Sequence, residues 1–581
     1  MHAALPIRTS RTSRTPRRRR WAAVVVVLAL LLAAWRPLQK TATHGMTWDE
    51  HLELQSLGAH MDLAASAGGQ APAPVLRDFR GHLEYYGIVN KLPGLLLWRT
   101  AQHFAPGPAA TGWRFDRTAL AAFHASAIAF GLLTAWACRG LARAWPGGGV
   151  APLAAPLLLL LYPRFVGHAF FNLKDVPFAA VYTLLTWQMI AAVLSTRPAA
   201  ARRATAFAVL LGGALAAMKA PGVAALWPLL PAALLAGRST AIASPGAGLR
   251  IAWLLAPLLA LGIAVAATPA AWSSPLQWTL GALGMFGSHP YDRCTVTWGE
   301  CLAAGDTPAD YLLRWFVVTT PLTFLFLFGS GVVELLRRPV AGEKGAPGAA
   351  PARSPAGAAI VAAQMLTLPL VAVVSGAALY DTERHVLFVV PAACVVAAAG
   401  LQSLLRCSGS WSAGPRRLML GVLAVGAATT LIDGWRLHPY QYSYFNEVGR
   451  HLDPDRNFET DFWGFSLGEL VRRHAATQPD PAAWGPLPFV AMPNTVYPFT
   501  PTLPANYRKT VEVVTAGGQS RPRVRSTTLV FAINRFEWRE PPAECRVVDV
   551  EERRLLFADK PMVMGRTLVC EAPGGKDLLP P

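Results

Sequence analysis

Apolar positions along this chain come in continuous runs rather than alternating with polar ones. The stretches 22–34, 151–161 and 204–217 contain no charged residue, and several runs approach the roughly 20 residues that carry a helix across a bilayer. Backbone groups in lipid are satisfied only within helices or around a closed barrel. Barrel strands alternate with period two, so unbroken runs exclude a barrel. The pattern therefore predicts an all-α polytopic membrane protein with about eleven transmembrane helices. Their spans are 21–38, 118–138, 150–166, 176–195, 204–220, 222–238, 251–268, 312–333, 357–378, 385–405 and 417–433.

The connections divide unevenly. Most links on one side are short, and residues 339–355, rich in Ala, Gly and Pro, read as a linker. The other side carries two long loops, 39–117 and 269–311, and a terminal segment, 434–581, long enough for its own core. A helix is expected there over 461–474, with strands over 487–492, 527–533 and 546–557. The reading is a cytoplasmic basic tail (1–20), a membrane domain (21–433) and a small C-terminal extracytoplasmic α/β domain (434–581). No internal repeat is visible.

Charge fixes the orientation. The 581 residues are 53% hydrophobic and 15% charged, with a net charge of +19; soluble domains carry about 25% charged residues. With a cytoplasmic N-terminus, the cytoplasmic pieces are 1–20, 139–149, 196–203, 238–250, 334–356 and 406–417. They hold 21 of the 53 Lys and Arg residues but only two of the 34 acids, Glu334 and Glu343. The excess thus lies on one side, as the positive-inside rule requires, and nucleic acid is not an expected partner. The first span has a basic lead and a short apolar stretch, like a signal peptide. Its Ala33-Ala34-Trp35-Arg36 sequence is a poor cleavage site, which favours an uncleaved helix. Of seven cysteines, Cys138, Cys394 and Cys407 fall in or beside spans. Cys294 and Cys301 share an outer loop and Cys545 and Cys570 share the C-terminal domain, which makes two disulfide candidates in an oxidising compartment.

Candidate chemistry clusters on the outer side. Thr47-Trp48-Asp49-Glu50 opens the first outer loop and fits a helix-capping box as well as a catalytic carboxylate. Lys91 follows Tyr85-Tyr86-Gly87-Ile88-Val89-Asn90 and suits either a phosphate or a snorkelling role at the interface. The turn between the third and fourth spans crowds Arg164, His168, Asn172, Lys174 and Asp175 between apolar segments, where ionisable groups are costly. Lys219 ends the fifth span and His289 lies in the second long loop. Tyr380-Asp381-Thr382-Glu383-Arg384-His385 forms an outer turn whose arginine fork matches a phosphate.

These motifs resemble the bacterial relatives of the dolichyl-phosphate-mannose protein mannosyltransferases, the family 39 glycosyltransferases. More distantly they resemble the aminoarabinose transferases that act on lipid A. The resemblance runs through most of the chain. It rests on Asp49-Glu50, Gly167-His168-Ala169-Phe170-Phe171-Asn172-Leu173-Lys174-Asp175-Val176-Pro177 and Arg384-His385 before Leu387-Phe388-Val389-Val390-Pro391. It continues in His438-Pro439-Tyr440-Gln441-Tyr442-Ser443-Tyr444-Phe445-Asn446 and Glu459-Thr460-Asp461-Phe462-Trp463-Gly464. It implies a C-type glycosyltransferase fold, a polyprenyl-phosphate sugar as donor, Asp49 as the catalytic carboxylate and Asp175 as second acid. Two features depart from the pattern. Asn90 stands before Lys91 where the aminoarabinose enzymes carry Glu, and the outer sugar-binding-like insertion of the eukaryotic enzymes is absent from the sequence.

The function expected is an inverting glycosyltransferase of the plasma (inner) membrane, acting on its extracytoplasmic face. Asp49 and Glu50 are the catalytic pair. Lys91, Lys174 and Arg384 hold the donor phosphate. Asp175 and His289 are the second acid or a divalent metal site, and His168, Asn172 and His385 are supporting groups. The cofactor is otherwise unknown; the acceptor is an envelope glycan, lipid or protein, and membrane lipids are partners. A transporter or lipid flippase would explain the helices but neither the long outer loops nor the lack of repeat halves. A non-catalytic scaffold on the same fold is the third reading.

Overall fold

The computed structural model describes residues 46–66, 76, 83–104, 117–235, 246–287, 294–336, 354–478, 489–490, 528–535 and 539–571. The basic tail, the first expected span and most of the 339–355 linker lie outside these residues. In chain order the helices before the first hairpin are α1 (Trp48–Ala65), α2 (Leu92–Phe104), α3 (Arg117–Ala144), α4 (Ala151–Leu160), α5 (Pro163–Ala169), α6 (Asp175–Leu194), α7 (Pro198–Met218), α8 (Leu229–Leu235), α9 (Ala247–Ala267) and α10 (Pro275–Gly287). The hairpin β1 (Cys294–Thr297) and β2 (Glu300–Ala303) follows. Then come α11 (Tyr311–Thr319), α12 (Leu322–Leu336), α13 (Pro355–Val374), a 3-10 turn (Arg384–Val389), α14 (Val390–Cys407) and α15 (Ala413–Leu437).

Among the described residues seven helices are long and apolar enough to span a membrane, or eight if the bent pair α11 and α12 is one span. Three of the expected spans are broken, each at a proline. The α11–α12 axis turns by 120° at Thr320-Pro321. Span 150–166 divides into α4 and α5 at Tyr162-Pro163, and span 222–238 divides into a 3-10 segment (Ala220–Leu226) and α8 near Pro228. Proline cannot donate the helical N–H and pushes the residue before it out of the α region; Thr320 and Tyr162 are both extended. Apolarity predicts residence in the bilayer, and proline decides whether the segment crosses it straight.

Helix α6 lies at the centre, with 78% of its apolar window buried, whereas α15 buries only 11%. Exposed Leu254, Leu255, Leu258 and Leu259 on α9 and Leu418, Val422 and Val425 on α15 present the apolar surface that lipid requires. Helices α12 and α14 pack at backbone distance. A Cβ on Gly400 would sit 2.1 Å from the Leu327 carbonyl oxygen, and one on Gly331 would sit 1.9 Å from that of Val396. Small residues are the usual device for such close crossings in lipid.

The C-terminal segment adds α16 (Pro454–Asn457), α17 (Phe465–Thr477) and a four-stranded sheet of β3 (Phe489–Val490), β4 (Thr528–Ile533), β5 (Cys545–Arg553) and β6 (Met562–Cys570). The sheet order is β3-β4-β6-β5, with β3 parallel to β4 and the other pairs antiparallel. Strand β6 was not among the expected strands, because Gly565 and Arg566 interrupt its apolar pattern; its buried face packs against α17. Disulfides join Cys294 to Cys301, with Cα atoms 5.3 Å apart, and Cys545 to Cys570, with Cα atoms 4.0 Å apart. The Gly400 contact yields a prediction. Gly400→Leu should cost about 1–3 kcal/mol by overpacking, read as a lower melting temperature in detergent. Gly329→Leu, two residues from Gly331 on α12 with no atom near its would-be Cβ, should leave melting nearly unchanged.

Candidate active site

Helix α1 begins at a capping box. The Glu50 carboxylate accepts from the Thr47 backbone N–H at 2.7 Å and from Thr47 Oγ1–H at 2.9 Å. Its other oxygen meets His124 Nε2 at 2.7 Å. Both Glu50 oxygens are therefore engaged away from the neighbouring acid, fixing α1 against α3. Asp49, one residue earlier, points the other way. Glu53, four residues on, shares the Asp49 face of the helix, as the i, i+4 spacing dictates.

Opposite this face stands the turn 172–175, which Asn172 organises. Its Oδ1 accepts the backbone N–H groups of Lys174 (3.0 Å) and Asp175 (2.8 Å), capping α6. Its Nδ2 donates to Asp175 Oδ2 at 2.9 Å and reaches His168 Nδ1 at 3.0 Å. Burial holds the His168 pKa down to about 3, so the ring is neutral and Nδ1 accepts. Around His168 stand Phe171, Tyr442, Phe462 and Trp463. Gly167 makes that packing feasible, since a Cβ there would lie 2.3 Å from the Tyr442 backbone nitrogen.

The two faces meet through charge. Lys174 Nζ contacts Asp49 Oδ2 at 2.8 Å and Glu53 Oε1 at 3.3 Å. Lys91 Nζ contacts Glu53 Oε2 at 2.6 Å. Lys219 Nζ, just past the end of α7, contacts Asp175 Oδ1 at 2.7 Å. Arg384 Nη1 lies 3.7 Å from Asp49 Oδ2 and 3.8 Å from Asp175 Oδ2, while its Nη2 bonds Asp381 Oδ2 at 2.9 Å. The cluster thus contains four carboxylates and four cations. Asp49 keeps 25% of its side chain exposed and Lys174 19%, whereas Lys91 is fully buried.

Burial works against charge on Asp49, but Lys174 and Arg384 overcome it and hold its carboxyl below the ordinary value. Glu53 is likewise lowered, burial being overcome by Lys91 and Lys174. Burial opposes the charge on Lys174 too, and Asp49 and Glu53 raise its pKa well above the ordinary lysine value. These groups are therefore ionised at neutral pH.

The C-terminal domain reaches this cluster. Trp463 lies under the Arg384 guanidinium at 4.7 Å, and Tyr380 lies at 5.1 Å. Asp381, which holds Arg384, is itself gripped by Arg535, whose Nε lies 3.1 Å from Glu459. Asp381 and Thr382 have φ of 53° and 71°. Left-handed backbone at non-glycine residues costs of order 1 kcal/mol or more and persists only where the surroundings enforce it. Arg535 on one side and the Tyr311 hydroxyl accepting the Thr382 N–H at 3.2 Å on the other supply that enforcement.

Of the residues singled out from sequence, Asp49, Lys174, Asp175 and Arg384 come together directly, and Lys91 joins through Glu53. His168 and Asn172 stand behind Asp175, and His385 packs edge-on to Tyr380 at 4.6 Å. His289 lies outside the described residues. Asp175 is engaged by Lys219, Asn172 and Arg384, all donors or cations, a surrounding that does not fit a bound cation. Among the described residues no group of three or more His, Cys, Asp and Glu side chains is placed to hold a metal. Sequence reasoning missed Glu53, Asp381 and Arg535. The i, i+4 spacing from Asp49 was the available signal for Glu53; nothing local signals Arg535, 154 residues from Asp381. Arg164, crowded near His168 in sequence, instead pairs with Glu383 at 3.0 Å, outside the cluster.

No protein-family model and no curated protein matches the chain. Among solved structures it is similar to ArnT from Cupriavidus metallidurans in the apo state. The TM-score is 0.50 and the identity 14%, over 94% of this chain and 98% of that one. The same protein bound to undecaprenyl phosphate gives a TM-score of 0.48 at 14% identity, covering 97% and 99%. An Archaeoglobus fulgidus oligosaccharyltransferase in the apo form gives 0.41 at 10% identity, covering 82% and 63%. The ArnT likeness, spanning nearly the whole of both chains, together with the apolar helices, gives the fold: an integral membrane protein of C-type glycosyltransferase architecture with a small C-terminal sheet.

Proposed function

We propose that this protein is an inverting glycosyltransferase that moves a sugar from a polyprenyl-phosphate donor to an acceptor hydroxyl. The site would lie at the extracytoplasmic face of the plasma (inner) membrane, and the acceptor would be an envelope glycan, lipid or protein. The observation that carries the reading is the state of Arg384. Its guanidinium has five N–H donors. Among the described residues it makes one hydrogen bond, to Asp381, and its buried Nε has no partner. Its Nη1 stands beyond hydrogen-bond reach of Asp49 and Asp175. A fixed, stacked arginine with spare donors beside a lysine and a partly exposed carboxylate suits an anionic leaving group next to a base.

In this mechanism Asp49 takes the proton of the acceptor hydroxyl as that oxygen attacks the anomeric carbon. The bond from that carbon to the phosphate oxygen breaks, and its electron pair leaves with the polyprenyl phosphate, held by Arg384 and Lys174. A carboxylate paired with lysine is a weak base. As Lys174 turns towards the leaving phosphate, Asp49 loses its neutralising partner and its basicity rises when the proton must move. Asp175 keeps Lys219 and Arg384 in place, and Glu53 does the same for Lys91 and Lys174. Glu50 serves as the cap.

Sugar transfer per mole of folded protein tests these roles. Asp49→Asn should lower it by about 10²–10⁴-fold, the usual effect of losing a general base. Glu50→Gln should act chiefly on stability, by about 0.5–2 kcal/mol as for a lost cap. Normal transfer by Asp49→Asn with normal donor binding would remove Asp49 from the mechanism.

The acid limb of the pH–rate profile follows from the lowered Asp49 pKa. The base works only when ionised, so kcat/KM, which reports the donor-free enzyme, should hold as pH falls to the ordinary carboxylate value of about 3.9 and decline only below it, for as long as the protein stays folded. The stability contributed by the Asp49 and Glu53 pairs has the same sign: present above the ordinary value, lost as pH falls through the lowered ones. A limb of kcat/KM near neutral pH, followed by transfer assays from pH 3 to 8, would exclude Asp49 as the titrating base.

Asp381→Asn tests the mounting of Arg384. It keeps the shape of the turn and removes the charge between two arginines, weakening a charge-assisted bond of about 1.5–3 kcal/mol. Donor KM should rise about tenfold or more while acceptor KM stays fixed. Equal changes in both would mean general misfolding rather than loss of a phosphate anchor.

A further inference from the structure

Helices α6 and α7 carry Asp175 and Lys219 at one end. Their other ends, about 30 Å away by the rise of a 20-residue helix, meet α9 around a cavity of about 900 Å³. That separation matches the hydrocarbon thickness of a bilayer, so this cavity lies at the opposite membrane surface. Its lining is sorted by polarity. Ser195, Thr196 and Arg202 stand at the helix ends, whereas Val209, Leu210 and Leu259 line it deeper along α7 and α9.

The charge around the cavity is one-sided. No Asp or Glu occurs between Asp175 and Asp292. Arg197, Arg202, Arg203 and Arg250 are all exposed, and among the described residues none makes an ion pair. The positive-inside rule accounts for arginines at this surface. It does not account for an intramembrane cavity with an arginine at its polar mouth and aliphatic side chains along its walls.

We propose that this cavity binds an anionic phospholipid of the leaflet opposite the Asp49 site. The phosphate would meet Arg202 and the Ser195 and Thr196 hydroxyls, and an acyl chain would lie along Val209, Leu210 and Leu259. Basic pockets between helices on the cytoplasmic side bind anionic headgroups by this combination of charge and apolar wall. The occupant must satisfy both ends of the cavity at once, which a soluble anion or a neutral lipid does not.

Purified full-length protein in detergent tests this, with phosphatidylglycerol and phosphatidylcholine as probes and retained lipid read by native mass spectrometry. Wild type should retain phosphatidylglycerol preferentially. Arg202→Gln should lower retention about fivefold, which corresponds to ~1 kcal/mol for one surface cation. Ala206→Trp, which fills the cavity from α7 without touching charge, should also lower it. Arg416→Gln, an exposed arginine at the start of α15, should not. Should Ala206→Trp fail to fold, the exposed Arg202 variant decides alone. Equal retention of the two lipids by wild type, unchanged retention in Arg202→Gln, or displacement by an equal concentration of inorganic phosphate would each overturn the assignment.

Discussion

Eight ionisable side chains, from Asp49 to Arg384, share a space in which an isolated charge would cost several kcal/mol. They are tolerated because each is neutralised by a neighbour of opposite sign, and the neighbours come from distant parts of the chain. Asp49 and Glu53 come from α1, Lys91 from the entry to α2, Lys174 and Asp175 from the start of α6. Lys219 comes from the end of α7, and Asp381 and Arg384 from the turn before α14. Without α1, Lys91 and Lys174 lose their carboxylates, and without the start of α6, Asp49 loses Lys174 and Lys219 loses Asp175. The network therefore links α1, α2, α6, α7 and the turn before α14 at one end of the helices.

Under the proposed function the same balance would prepare the site for an anion. A cation already held by a carboxylate is positioned and charged before the ligand arrives, so little reorganisation is needed when phosphate replaces the carboxylate as its partner. Arg384 is the extreme case. Trp463 and Tyr380 hold its plane and Asp381 holds one edge. Asp381 in turn sits in left-handed backbone that the C-terminal domain helps to enforce through Arg535. The C-terminal segment is thus part of the mounting of Arg384, which gives a physical reason for its place beside the cluster.

The helical membrane architecture was legible in the sequence because a chain rarely sustains apolarity over about 20 residues except to cross a bilayer. Where reading and structure differ, the cause is local. Pro163, Pro228 and Pro321 stand within apolar runs and convert straight spans into broken ones, and Gly565 and Arg566 hide strand β6. In the candidate site, the residues in long motifs were visible: Lys174, Asp175 and Arg384. Glu53 was visible in principle from its spacing to Asp49. Arg535 was not, because its role depends on a contact with Asp381, 154 residues away, that only the folded chain makes.

Glu50 illustrates why adjacency in sequence is a poor guide to shared chemistry. Successive helix residues point about 100° apart, so an Asp-Glu pair at a helix start cannot aim both acids at one target. The capping box settles which acid is free. Once Glu50 turns back to Thr47 and on to His124, Asp49 is left facing Lys174 and Glu53, four residues on, takes the second place on that face. The two carboxylates on the cluster face of α1 are therefore Asp49 and Glu53, spaced by about one helical turn, while Glu50 holds the start of the helix.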